Sequence, residues 1–464
     1  MNTKNPASHP GNLRTFTIIW FGQLISALGS GLSGFALGVW IYERTGSATM
    51  FALVVLSFEV PGIFFSPVAG ALVDRWNRRT ILILCDSAAA IIMLGVLLLE
   101  LNNSLEVWHL LVVAFIGAIA GAFQWPAFSA ATTMLVPKEH LGRAGGMTQI
   151  GEAISRLLSP VLAGALFLSV GLSGIILIDL VTFVIAVTSL LVISIPEPVR
   201  AASSPSVKPS LWKEIRFGWD YILARRGLLL LLLYIAVINL WFGFINPLFT
   251  PLLLEIGSPQ DAGLVFTVMG VGSVAGTLIM SAWGGPKRRV YGVLLSGIWA
   301  GITLAFHGVA PNLWVVAAAG LFFQMSMPIM AACSQALWQT KTAPDVQGRV
   351  FSMRRLIAQF TAPLGTLIAG PLVDQWLQPA MEPGGALANS LGSVIGVGGG
   401  RGAAAVFLFA GAFVFLASIA FLGSSRLRNV DTEIPDAEVK VRQDVGVSEG
   451  APLAGESSEV AEAT

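Results

Sequence analysis

Three ionisable side chains stand inside long apolar segments, where a charge is costly. Glu59 lies in the apolar run 48–70, and Glu152 and Arg156 lie in the run 147–170. Glu152 and Arg156 are four residues apart, so on a helix they share a face and can pair. A carboxylate close to an arginine can gain or lose a proton when its surroundings rearrange. The three residues therefore predict a proton-binding cluster, with an ion pair that only tethers helices as the alternative.

Amide and tryptophan side chains are spread through other apolar segments. Such groups suit a large organic molecule of mixed polarity better than a sugar or an inorganic anion, which would need a denser polar or cationic lining. The expected lining residues of a cavity are Gln23, Gln124, Trp125, Gln149, Asn239, Trp241, Asn246, Gln324, Gln335 and Gln359. Asp86 and Asp179 lie near the ends of their apolar segments and predict structural or interfacial roles, as His307 does at the boundary of another.

Composition places the whole chain in a membrane. It has 464 residues, of which 55% are hydrophobic and 11% are charged, whereas soluble proteins carry about 25% charged residues. The sequence holds no G-x-x-x-x-G-K-[ST] phosphate loop and no H-E-x-x-H motif, and its four histidines are scattered. We therefore expect neither an enzyme nor a cofactor, and no nucleic-acid partner. The proton-binding residues expected above make a proton gradient the expected energy source.

Twelve apolar segments are long enough to span a bilayer, which takes about 20 residues each. A polar linker at 196–227, with an amphipathic helix expected at 211–226, divides them six and six. The predicted fold is an all-α polytopic membrane protein with halves at 15–195 and 228–424. The spans lie at 15–41, 48–70, 80–101, 108–135, 147–170, 172–195, 228–253, 262–283, 290–310, 313–338, 351–376 and 402–424.

The distribution of basic residues predicts the orientation. If the N-terminus (1–14) is cytoplasmic, the external loops hold only Arg44 and Arg401, as the positive-inside rule requires. Both termini should then face the cytoplasm. A monomer in the inner (plasma) membrane is a separate expectation. The acidic tail 425–464 is expected to be disordered, and the glycine-rich external loop 378–401 is expected to be mobile.

The two halves repeat a loop pattern. After the fourth and the tenth span, a carboxylate precedes Gly-Arg by three residues, and each of these spans also contains a proline, Pro126 or Pro328. An internal repeat of six spans indicates a transporter built from two pseudo-symmetric halves. The repeated loop residues are Glu139, Gly142 and Arg143 in the first half, and Asp345, Gly348 and Arg349 in the second.

The loop between the second and third spans carries the densest charge in the first hundred residues. Its pattern G-x-x-x-D-R-x-x-R-R is formed by Gly70, Asp74, Arg75, Arg78 and Arg79. It resembles the loop at the same place in the major facilitator superfamily. The resemblance implies a cytoplasmic gate in which the aspartate caps a helix and pairs with basic groups across the halves, latching the outward-facing state.

Two further stretches extend the resemblance over about residues 12–425. Ser159, Pro160 and Gly164 stand in a segment similar to the G-P-x-x-G-G segment of proton-coupled exporters, with Ser159 and Ala163 in place of two glycines. The stretch 61–70 is similar to the branch that holds macrolide efflux proteins and enterobactin exporters. The resemblance implies export of amphipathic organic molecules by proton antiport. The alternatives are a dedicated exporter of one siderophore or metabolite, uncoupled import, lipid cargo, and a sensor or scaffold that transports nothing.

Overall fold

The computed structural model describes residues 13–73, 76–137, 140–193, 211–309, 311–343 and 346–435, which form helices joined by turns. A π-helical turn at Val373–Leu377 follows α11. The helices are α1 (Leu13–Thr45), α2 (Ala48–Val73), α3 (Arg78–Leu101), α4 (Val107–Leu135), α5 (Leu141–Val192), α6 (Leu211–Leu223), α7 (Arg226–Ile256), α8 (Pro259–Trp283), α9 (Arg289–Val309), α10 (Leu313–Lys341), α11 (Gln347–Leu372), α12 (Gln378–Met381), α13 (Gly392–Ile395), α14 (Arg401–Gly423), α15 (Ser425–Arg428) and α16 (Val430–Glu433).

Eleven helices of the described part are long and apolar enough to cross a membrane. One of them, α5, has 52 residues, and an unbroken helix of that length would measure about 78 Å, far more than the ~30 Å core of a bilayer. Its backbone breaks at Gly171 (φ 65°, ψ −175°), a conformation that favours glycine. Helix α5 therefore has a first arm (141–170) and a second arm (172–192). This break confirms the predicted all-helical fold with twelve spans.

The spans pack as two bundles, each with its own buried side chains. Leu82 and Leu110 are buried in the N-terminal half, formed by α1–α5, and Leu248 and Leu337 are buried in the C-terminal half, formed by α7–α14. Pro126 and Pro328 lie inside α4 and α10, the fourth helix of each half. We call the side of the molecule that carries residues 76–79 and α6 the hinge face. The side that carries the turn between α1 and α2 is the opposite face.

The linker helix α6 is fixed to the C-terminal half. Ile222 is fully buried in the same apolar cluster as Leu228, and the Tyr221 hydroxyl donates to Lys341 O at the end of α10 (3.1 Å). The predicted amphipathic helix is present, but it ends at Leu223. Ile222 is buried against the protein, whereas Phe217 and Trp219 stay exposed.

The expected disordered tail is wrong for residues 425–435. Leu427 and Val430 are fully buried, and Asp431 accepts hydrogen bonds from the backbone nitrogens of Arg289 (3.3 Å) and Val290 (3.1 Å) at the start of α9. The Lys341 Nζ donates to the carbonyls of Asp431 and Ile434 (2.6 Å each). The acidic composition of the tail favoured disorder and gave no sign of these apolar contacts. Residues 436–464 lie outside the described part.

The glycine-rich segment 378–401 is packed rather than mobile. Met381 and Ile395 are buried, and the buried Arg401 donates to Ile395 O (3.0 Å). Gly396, Gly398 and Gly400 all have positive φ angles, so these glycines form specific turns. The high glycine content therefore reflects backbone geometry and not flexibility.

Candidate functional site

A cavity of about 710 Å³ lies between the two halves. Aromatic and aliphatic side chains form much of its wall, and polar groups face it from both halves. We call it the central cavity. Its polar lining includes Glu59, Gln149, Glu152 and Arg156 from the N-terminal half, and Asn246 and Gln324 from the C-terminal half.

The structure brings the three expected proton-coupling residues to this cavity in two separate contacts. Arg156 pairs with Glu152 (3.9 Å), and their side chains are 85% and 41% exposed. Glu59 instead accepts a hydrogen bond from Asn246 across the halves (3.4 Å). Its second oxygen, Oε2, is buried without a hydrogen-bond partner among the described residues. The single cluster of Glu59 with Arg156 is therefore not formed, because Arg156 turns to the carboxylate on its own helix.

A second cavity, of about 880 Å³, opens inside the N-terminal half. Gln23, Gln124 and Trp125 face it, as predicted for lining residues, together with Cys85. We call it the N-half cavity. Glu59, Glu152 and Asn246 line both cavities, so the two spaces meet at the proton-coupling candidates.

Three of the expected lining residues do not line these cavities. Asn239 donates to Ala358 O (2.8 Å) and joins α7 to α11. Trp241 packs on Phe244 and Phe413, and Gln335 accepts from Arg354 (2.8 Å). These groups stabilise helix packing inside the C-terminal half, a use of polar side chains that sequence alone does not separate from cargo contact. The side chain of Gln359 lies outside the described residues.

Asp86 is more deeply placed than its position near a span end indicated. It is only 1% exposed. Gln23 Nε2 donates to Oδ2 (2.8 Å) and Gln124 Nε2 donates to Oδ1 (2.8 Å), and Gln124 also donates to the Gln23 oxygen (3.1 Å). Helices α1, α3 and α4 therefore meet at one buried carboxylate. The position of Asp86 along its span was predicted from the sequence, but the burial of its side chain between α1 and α4 was not.

Asp179 and His307 are likewise buried rather than interfacial. Asp179 is 1% exposed and accepts from Ser30 (3.4 Å) and Thr182 (3.3 Å) where α1 packs on α5. His307 is stacked against Phe407, and its Nδ1 lies 3.0 Å from Thr303 O. The contacts of Asp179 agree with the structural role expected for it. The boundary position expected for His307 is corrected, because this residue is buried and lies in the wall of the central cavity.

The described part of the hinge is attached to its own half. Gly70 lies in the last turns of α2, and Asn77 caps α3 by accepting from Thr80 N (3.2 Å). Arg79 donates to the carbonyls of Leu190 and Leu191 (2.7 Å each) at the end of α5. Arg78 donates to Trp76 O (3.4 Å). Asp74 and Arg75 lie outside the described residues, so their latch stays a prediction.

Each of the two repeated loops leads into the fifth span of its half, α5 or α11. Gly142 and Arg143 lie in the first turn of α5, and Gly348 and Arg349 lie in the first turn of α11. The Arg143 side chain is exposed. Glu139 and Asp345 fall outside the described residues, so no pairing within these loops is assigned.

At the opposite face a carboxylate joins the two halves. Asp374, just after α11, accepts from the Ser47 hydroxyl (2.6 Å) and from the backbone nitrogens of Ala48 (3.1 Å) and Thr49 (2.9 Å). Those nitrogens are free donors at the start of α2, where a negative charge is also favoured by the helix dipole. We call this contact the Asp374 latch. It was not expected from the sequence, since its partners are more than three hundred positions apart.

A second cross-half bond and a glycine seam complete the closure. The Tyr42 hydroxyl donates to Glu255 Oε1 (2.8 Å). In the α5–α8 seam, a Cβ added to Gly164 would lie 2.7 Å from Pro259 O, and one added to Gly263 would lie 2.6 Å from Pro160 O. The expected close approach at Pro160 and Gly164 is therefore present, and it brings the backbone of α5 against the backbone of α8. Ser159 instead bonds Leu28 O in α1 (3.1 Å).

Two helical halves around a shared polar cavity, closed at one face, define a polytopic membrane transporter. The sequence profile of the Major Facilitator Superfamily matches residues 19–366. Macrolide efflux protein A of Streptococcus pyogenes is 30% identical over 366 residues, which cover 78% of this chain and 89% of the relative. Multidrug efflux pump Tap of Mycobacterium tuberculosis is 27% identical over 372 residues, which cover 77% of this chain and 86% of the relative.

Solved structures share the fold at low sequence identity. A bacterial homologue of the human lysosomal transporter Spinster, in an inward-facing and unoccupied conformation, has a TM-score of 0.64 at 18% identity and covers 90% of this chain and 98% of its own. A bacterial homologue of the iron transporter ferroportin, in an inward-facing state, has a TM-score of 0.63 at 15% identity, over 89% and 99%. This chain belongs to the Major Facilitator Superfamily, as the hinge residues indicated.

Proposed function

We propose that this transporter exports amphipathic, macrolide-like organic molecules in exchange for protons, by alternating exposure of its cavities to the two sides of the membrane. The observation that carries the proposal is the pair of joined cavities, in which aromatic walls surround carboxylates. An aromatic wall with a few polar groups suits a large amphipathic cargo. The names of the macrolide and multidrug efflux relatives point to the same cargo class.

Proton coupling is assigned to Glu59, Glu152 and Arg156. Glu59 contacts Asn246 across the halves, so its environment must change when the halves move apart. A carboxylate whose hydrogen-bond partner is lost in one state binds a proton more strongly in that state. Glu152 keeps Arg156 as a partner on its own helix, which supports Glu59 as the carboxylate that senses the movement.

Two gates open in turn under this proposal. The Asp374 latch and the glycine seam hold the opposite face closed, while the hinge residues Gly70, Asp74, Arg75, Arg78 and Arg79 gate the cytoplasmic side. The hinge face is then cytoplasmic, with both termini inside the cell, and the protein acts as a monomer in the inner membrane. Because the opposite face is closed, this proposal assigns the described conformation to the inward-facing state.

The proposal is tested by uptake of a radiolabelled macrolide into inside-out membrane vesicles energised by respiration. We compare wild type with Glu59→Gln, and use Glu43→Gln, at the outer end of α1, as the matched control. Wild type and Glu43→Gln should accumulate the macrolide, a protonophore should stop the accumulation, and Glu59→Gln should fail. Accumulation that survives the protonophore would remove protons from the mechanism. Failure of wild type to take up any macrolide, with the protein inserted, would favour a dedicated exporter of another metabolite.

A further inference from the structure

The N-terminal half contains a buried carboxylate that the coupling residues above do not use. Asp86 is 1% exposed, and both of its oxygens accept hydrogen bonds from amide groups, Gln23 and Gln124. Neither ion pair found in the described part of the chain includes it. An ionisable group placed inside the membrane without a cation is expensive to keep and indicates a function.

The other groups around Asp86 do not supply a counter-charge. The neighbouring Cys85 thiol contacts Ala120 O (3.5 Å). Arg79, lower on α3, is occupied by the carbonyls of Leu190 and Leu191. From α5, Asp179 is engaged with Ser30 and Thr182. The amides of Gln23 and Gln124, from α1 and α4, are therefore the groups that decide which form of Asp86 is stable.

Amide partners serve both protonation states of a carboxyl group. An amide donates through its NH₂ to a carboxylate, and after rotation its oxygen accepts from a carboxylic acid. An arginine or lysine partner could only donate and would hold the group ionised. When one amide turns its oxygen to protonated Asp86, the bond between Gln124 and Gln23 (3.1 Å) is lost and an O–H···O bond is gained. The cluster can thus load and unload a proton by exchanging one hydrogen bond for another.

The cluster also has a route to its surroundings. Gln23, Gln124 and Cys85 face the N-half cavity, and that cavity reaches Glu59. Asp86 stands about two turns from the hinge-face end of α3, whereas Glu59 is about four turns from the same end of α2. Glu59 therefore borders the cavity directly, and Asp86 reaches it at a different depth through Gln23 and Gln124.

From this geometry we infer that Asp86 is a second proton-binding site, placed between Glu59 and the cytoplasm and positioned by Gln23 and Gln124. A proton moving inward binds the Asp86 carboxylate, forming an O–H bond. While the opposite face is closed, the O–H bond breaks, the proton passes to water on the cytoplasmic side, and Asp86 is again a carboxylate. This inference rests on the proposed antiport. It adds a residue on α3 whose two partners come from α1 and α4, so movement between these three helices changes its proton affinity.

The test uses purified protein in liposomes and two assays with a radiolabelled macrolide. The first assay is uptake driven by an imposed pH gradient. The second is counterflow, in which unlabelled macrolide inside drives exchange at equal pH. Asp86→Asn keeps the size of the side chain and, with one donor and one acceptor, resembles the protonated acid, but it cannot release or bind a proton. It should lower gradient-driven uptake roughly tenfold, a typical coupling between linked sites, and leave counterflow close to wild type.

Asp179→Asn is the matched control, since Asp179 is equally buried and also borders the N-half cavity, but its partners are the hydroxyls of Ser30 and Thr182 rather than two amides. It should keep both activities. Gradient-driven uptake retained by Asp86→Asn would overturn the inference. Loss of both activities by a variant with a wild-type melting temperature would also overturn it, because Asp86 would then act on cargo.

If Asp86→Asn does not fold, Gln124→Met tests the same claim. Methionine keeps the length of the side chain but has no amide group to donate to the carboxylate or to accept from the acid. The pH midpoint of gradient-driven uptake should therefore shift. An unchanged midpoint would contradict the inference. Wild-type protein that shows counterflow but no gradient-driven uptake would defeat the antiport proposal itself, an outcome distinct from failure of Asp86 alone.

Discussion

At the scale of single residues, the Asp374 latch has the most direct effect on conformation. Asp374→Asn removes the negative charge from the start of α2, and Asp374→Ala also removes the cap. Loss of a cap costs about 1 kcal/mol, so the alanine variant should shift the balance between closed and open opposite face roughly fivefold. Spin labels at the exposed Asn102 and Glu382, one on each half, would report the change as a longer distance between labels.

Tyr42→Phe should shift the same distance by a smaller amount, because it removes one neutral donor to Glu255. The control is Ser390→Ala, an exposed position in the packed segment 378–401, which leaves both cross-half bonds in place. An unchanged distance in Asp374→Ala would mean that the latch does not hold this face closed.

The glycine seam makes a second prediction at this scale. Gly263→Ala places a methyl group 2.6 Å from Pro160 O, and a backbone carbonyl cannot move aside as a side chain could. The seam must widen, so we expect a lower melting temperature and a more open opposite face. The matched change Gly95→Ala meets nothing within 4 Å and should be neutral or stabilising by about 0.5–1 kcal/mol, as alanine favours the helix. Equal behaviour of the two variants would refute the close approach.

At the scale of elements, residues 425–435 act as a clasp on the hinge face of the C-terminal half. A chain ending at Ser424 loses the buried Leu427 and Val430, the Asp431 cap on α9 and both partners of Lys341 described above. Each fully buried aliphatic side chain contributes roughly 1.5–3 kcal/mol, so this truncation should lower the melting temperature of the purified protein clearly. A chain ending at Pro435 should melt like wild type. Equal melting of the two truncations would show that the clasp carries no stability.

These elements also mark what the sequence could and could not tell. Bilayer thickness sets the length of a span whatever its tertiary contacts, so the twelve spans, and the break at Gly171, were predictable from apolar runs. Leu427 and Val430 were missed because two apolar residues in an acidic segment give no periodic signal. Gln335 and Asn239 were assigned to a cavity because an amide looks the same in a sequence whether it faces cargo or a neighbouring helix.

The same limit applies to the candidate site. Glu152 and Arg156 could be paired from their spacing, because a helix fixes contacts four residues apart. The partners of Glu59, Asp86 and Asp374 come from distant helices, and only the packing of the two halves decides them. The candidate residues for proton chemistry were thus named from the sequence, and their contacts could not be.

At the scale of the whole molecule, the cross-half contacts close one end of the joined cavities, and under the proposed antiport this arrangement is one end state of an alternating cycle. Cargo and proton must favour different states for exchange to occur, and each can shift the balance only by its difference in affinity for the two states. The Asp374 latch and the seam stabilise the closed opposite face. Protonation of Glu59, near the middle of the membrane, should shift the same balance between the closed and the open opposite face.

The most direct test of the central claim is proton movement coupled to cargo. Purified protein in liposomes with an imposed pH gradient and a pH-sensitive dye inside would receive a macrolide on one side. Macrolide–proton antiport predicts that the macrolide accelerates collapse of the pH gradient, and that Glu59→Gln abolishes the acceleration. Macrolide that crosses the membrane through folded protein without any change in proton flux would contradict antiport.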